Sequence, residues 1–156
     1  MTKVKEIFLG TAVLFIIMLG YVEQFLFENV NHHLHYLYYK TELSLMSDKL
    51  SMLLSWNYDD LMWLKWGMTI LSTILYFLAT ISVLHLIFKR EKYIMYTIYL
   101  FVGVICISFI LYMGGSLIGF PKEGYRLSRF AMGFLTSPIP LMALIPAFKL
   151  AKSSNS

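Results

Sequence analysis

Tyr125-Arg-Leu-Ser-Arg-Phe130 opens the last long apolar run of this chain, which continues through residues 131–148 and closes on Lys149. The run has membrane length, since roughly 17–25 apolar residues are what a helix needs to cross a bilayer. It also carries Pro138, Pro140 and Pro146. A proline removes a backbone donor and clashes with the preceding turn. Within lipid no water satisfies the freed groups, so neighbours or the hydroxyls of Thr136 and Ser137 have to do so. Thr136, Ser137, Pro138 and Pro140 are therefore the candidate bend and bundle-contact residues, and Pro146 is expected to mark the approach to the helix end.

Three earlier runs have the same character, and together they decide the class. The 156 residues are 58% hydrophobic and 14% charged, against about 25% charged in an ordinary soluble domain. The reading is all-α: a four-helix transmembrane bundle with spans at about 6–27, 64–88, 93–119 and 130–148, one membrane domain over residues 1–150 and a polar tail over 151–156. The first run starts like a signal peptide but passes into Gly20-Tyr-Val-Glu-Gln24 without a small-x-small cleavage site, so it reads as an uncleaved span.

Charge placement orients the bundle. The net charge of +4 comes from bases that flank apolar runs: Lys3 and Lys5, the Lys89-Arg-Glu-Lys92 turn, and Lys149 with Lys152. Short basic loops stay cytoplasmic, so both termini and the 89–92 turn are expected inside, and this pattern sets topology rather than a nucleic-acid face. Lys122, Arg126 and Arg129 then fall outside, against the trend. Arg126 and Arg129 share a face if the fourth helix begins early. They are candidate contacts to lipid phosphate or to a carboxylate, either of a partner or of the first loop.

Residues 28–63 read as the long outer connection. Leu43, Met46, Leu50, Leu53 and Leu54 recur at helical steps with Glu42, Asp48 and Lys49 between them, the pattern of an interfacial amphipathic helix or one packed over the bundle. Trp56, Tyr58, Trp63 and Trp66 cluster where the second span enters from an interface. Asn31-His-His-Leu-His35 is the one concentration of potential metal ligands. Adjacent His32 and His33 diverge on a helix, however, so no metal site is assigned. Asp59 and Asp60 read as a solvated helix start.

Little else suggests chemistry. Cys106 sits mid-run and reads as a packing residue, and His85, near the end of the second span, as an interfacial side chain. Gly115-Ser-Leu-Ile-Gly119 has small-xxx-small spacing but also precedes Pro121, where a helix ends. There is no phosphate loop, zinc-protease signature or nucleophile elbow, and the spans lack the acid–base pairs of ion-coupled transporters.

Tyr21-Val-Glu-Gln-Phe-Leu-Phe27 after the first span, residues 66–88 leading into a basic turn and a Tyr-rich third span, Arg129-Phe130, Ser137-Pro138 and Ile145-Pro-Ala-Phe148 resemble the exosortase-associated small membrane proteins of Bacteroidetes, the exosortase-F-associated type. The histidine-rich 31–35 stretch departs from that pattern. The resemblance implies a non-enzymatic, multi-pass accessory of the cell inner membrane without a cofactor, binding an exosortase or the C-terminal sorting helix of its substrate. Exosortases themselves resemble a larger bundle with Cys, Arg and His at the outer face. Cys106 and His85 are expected too deep to match that arrangement. The competing expectation is an oligomeric pathway for a small solute or ion, lined by the proline-bent helix.

Overall fold

The computed structural model describes residues 3–153, and the described residues are helical throughout, apart from short connections. In chain order they form α1 (Lys3–Tyr39), a 3-10 helix (Asp48–Ser55), α2 (Tyr58–Phe88), α3 (Glu91–Leu117), α4 (Pro121–Leu135) and α5 (Ile139–Ser153). Helices α1, α2 and α3 are each long and apolar enough to cross a membrane. The α4–α5 pair, bent by 58°, passes the same test jointly. The chain is thus an all-helical protein with three candidate spans, or four if the bent pair is one, compatible with a multi-pass membrane protein.

Helix ends follow local chemistry. Both α1 and α2 stop at a lysine in the left-handed region, Lys40 (φ 51°) and Lys89 (φ 50°). The N–H of Lys89 still closes onto the His85 carbonyl at 2.9 Å. Glycine normally fills such a stop, because any side chain is strained there. The cation offsets part of that strain, since the last carbonyls of a helix carry partial negative charge. Helix α2 begins on Asn57, whose Oδ1 accepts from the Asp60 N–H at 2.8 Å, an N-cap that leaves Asp59 and Asp60 in the first turn.

The described chain separates into two compact units, Ile17–Ser72 and the remainder. In the first, Val30 and Leu34 of α1 and Leu61 of α2 form a buried cluster with Met46 and Leu53, and Leu50 packs against it. The inward set of the amphipathic pattern therefore packs on its own unit, while Leu43 and Leu54 remain exposed. The segment is a 3-10 helix, capped by Ser47 and interrupted at Leu50, rather than a regular α-helix. The connection is also shorter than the polarity of residues 28–63 suggests. Helix α1 runs on to Tyr39 and α2 starts at Tyr58, because Asn, His and Tyr end a hydrophobic run without ending a helix.

In the second unit α4 lies along α3, and Gly115 and Gly124 meet at the crossing. A β-carbon on Gly124 would stand 2.7 Å from the Gly115 Cα and 2.7 Å from the Leu111 carbonyl oxygen. Gly119, the other half of the sequence spacing, instead takes φ 85° in the turn, with nothing near its missing β-carbon. At the opposite end of α3, Phe148 of α5 packs at a tilt on Tyr93 (4.5 Å between centroids) and meets Phe88 edge-on at 5.8 Å. The bent pair therefore retraces α3 from its C-terminal to its N-terminal end. Cys106 faces outward from α3 and does not pack internally. Helix α5 continues past Pro146 to Ser153, so that proline does not end the helix. Of the polar tail, residues 154–156 lie outside the described residues.

Candidate functional site

Two regions concentrate polar side chains. The first is the distal half of α1 with the segment that follows it. Asn29 is buried and bridges two backbone groups: its Nδ2 donates to the Phe25 carbonyl at 2.7 Å, and its Oδ1 accepts from the Ser47 N–H at 2.6 Å. One turn on, His33 Nδ1 lies 3.0 Å from Ser44 Oγ, which also accepts from the Met46 N–H. His32 Nδ1–H donates to the Leu45 carbonyl at 3.3 Å. Residues 44–47 are thus clasped to α1 by three side chains spaced along one helix face.

This clasp accounts for the histidine-rich stretch. His32 and His33 each hold a different group of the same segment, and His35 instead packs on Tyr39 at 4.5 Å. No group of three His, Cys, Asp or Glu converges among the described residues. His33 is 1% exposed, and its Nε2 has no hydrogen-bond partner among them. A buried unpaired nitrogen is costly, so His33 contributes geometry at some expense of stability.

Beside the clasp, Lys65 of α2 reaches α1 and donates to Asn31 Oδ1 at 2.6 Å. The same two turns of α2 carry a surface groove of about 330 Å³ lined by Asp59, Met62, Trp63 and Trp66. Trp63 is 77% exposed and Trp66 49%. The Ile17–Ser72 unit holds six acids (Glu23, Glu28, Glu42, Asp48, Asp59, Asp60) against three bases (Lys40, Lys49, Lys65), so its field favours cations.

The second region is α4–α5. Helix α4 starts at Pro121, which occupies the first turn and gives up no helical hydrogen bond there. Arg126 and Arg129 are therefore three apart on one helix and both exposed. Arg126 pairs with Glu123 at 2.6 Å, an exposed pair that adds little stability. The break falls at residues 136–138. Thr136 caps α4 through its N–H to the Met132 carbonyl, Ser137 Oγ donates to the Phe134 carbonyl at 2.7 Å, and the Ile139 N–H donates back to Ser137 Oγ at 3.3 Å. Pro138 and Pro140 stand at the start of α5, where their missing donors cost nothing. Pro140 and its neighbour Leu141 are buried, while Pro138 is exposed.

The fold and these surfaces define a helical protein of membrane-spanning character without an assembled catalytic or metal-ligand constellation among the described residues. No family model, curated protein or solved structure matches the chain.

Proposed function

We propose that the protein is a non-enzymatic, multi-pass accessory of the cell inner membrane that binds a membrane partner, either an exosortase or the sorting helix of its substrate. The observation that carries this reading is how little of its own span surface the chain covers. Only 6% of the most apolar window of α1 and 17% of that of α3 is buried. Helix pairs in lipid associate through close packing and polar contacts rather than by escaping water. Surface left open along two spans, together with the exposed arginines of α4, suits lateral docking of another helix with an acidic end.

Co-purification in mild detergent with an exosortase or with a tagged sorting helix tests the reading. Arg126→Gln with Arg129→Gln is expected to cut recovery about tenfold, as loss of a charge-assisted contact does, while the lysine pair retains it. Recovery of neither partner by the unaltered protein would end the accessory reading.

The proposal includes four crossings with cytoplasmic termini. In support, α4–α5 runs the length of α3, and the bases at 89–92 and Lys149 adjoin the Phe88–Tyr93–Phe148 ring cluster. With Cys106→Ser as background, Glu42→Cys and Lys122→Cys are expected to react with an impermeant thiol reagent from outside, and Glu91→Cys only after lysis. Labelling of the first two only after lysis would invert the topology.

A further inference from the structure

We propose that the groove of Asp59, Met62, Trp63 and Trp66 binds the primary ammonium group of an ethanolamine phospholipid. All four side chains project from two successive turns of α2. Asp59 stands four residues, about 6 Å along the axis, before Trp63. Trp63 and Trp66 are both exposed; an indole can hold a cation on its electron-rich face, and a carboxylate accepts hydrogen bonds from it. Lys65, the base in these turns, donates to Asn31 on α1.

Charge complementarity fixes the sign of the ligand, since the unit holds six acids against three bases. The uncharged run of α2 starts at Trp66, just past Lys65, so a ligand on Trp63 and Trp66 lies where the helix passes from interface to hydrocarbon. That is the depth of a lipid headgroup, and Met62 offers apolar contact to its methylenes. A primary ammonium has N–H groups for Asp59, which a choline headgroup lacks. This separates the two zwitterionic lipids.

The test is lipid retention by the full-length protein in detergent, read by native mass spectrometry after exposure to equimolar phosphatidylethanolamine, phosphatidylcholine and phosphatidylglycerol. Phosphatidylethanolamine is expected to be retained at least about fivefold over each of the others, the ratio over phosphatidylcholine coming from the charge-assisted hydrogen bond to Asp59. Asp59→Asn is expected to abolish the preference over phosphatidylcholine, and the pair Trp63→Leu with Trp66→Leu to lower retention of both zwitterionic lipids. Asp60→Asn, outside the groove lining, is expected to leave the preference intact, and unchanged circular dichroism shows that the variants fold. Equal retention of the three lipids by the unaltered protein overturns the proposal, as does a preference that survives Asp59→Asn. Soluble phosphoethanolamine competing at the same concentration as the lipid would overturn the lipid assignment.

Discussion

Gly124→Ala is expected to cost the protein about 1–3 kcal/mol, toward the upper end of what one inserted methyl does to a packed interior. The new carbon would stand 2.7 Å from the Gly115 Cα on one side and 2.7 Å from the Leu111 carbonyl oxygen on the other. Both are backbone atoms of α3, so no side chain can rotate away. The helices have to separate, and separation loses dispersion contacts along the whole crossing. Nothing lies within 4 Å of the corresponding position at Gly133, also on α4, so Gly133→Ala is expected to be neutral or to gain about 0.5–1 kcal/mol from reduced backbone freedom. Unfolding of the purified protein in mixed detergent, compared between these two variants, checks the prediction. Equal midpoints would mean that the glycine contact does not hold α3 and α4 together.

Asn29→Ala is expected to release the segment after α1 without unfolding the helices. The substitution strips the partly buried Ser47 N–H of its 2.6 Å acceptor. Leaving such a donor unpaired costs about 1–3 kcal/mol. Amide exchange over residues 41–47 is then expected to accelerate by about tenfold or more, a factor of ten corresponding to 1.4 kcal/mol of local opening. Asn29→Asp keeps the acceptor for Ser47 but buries a carboxylate with one oxygen against the Phe25 carbonyl, so the protection is expected to persist only in part. Exchange unchanged in the alanine variant would show that the His32 and His33 contacts alone suffice.

Hydropathy made α2 and α3 legible, because their apolar runs and their helices nearly coincide. It failed for the last third of α1 because it measures what a helix is solvated by, not whether it is a helix. Asn29, Asn31 and the three histidines read as a polar connection, yet the backbone through them keeps its helical bonds while the side chains of Asn29, His32 and His33 bind residues 44–47. That clasp was not legible, since each of its pairs joins residues 11 to 18 positions apart through a segment of irregular backbone. The start of α4 was hidden for a different reason. Pro121 reads as a stop for the helix before it and serves equally as the first residue of the helix after it. The prolines at 138 and 140 marked the break, but whether they would bend one helix or begin another depends on the Thr136 and Ser137 hydroxyls. The glycine contact was misplaced because small-residue spacing looks along one helix, whereas the partner of Gly115 lies across the turn.

The break between α4 and α5 also bears on how the protein is made. Each helix has 15 residues, about 22 Å at 1.5 Å per residue, which falls short of a hydrocarbon core about 30 Å thick. Neither is a complete insertion signal alone. If the bent pair is one span, both halves have to leave the ribosome before lipid can retain either. Insertion of such a span would then depend on the packing of α4 against α3 that precedes it.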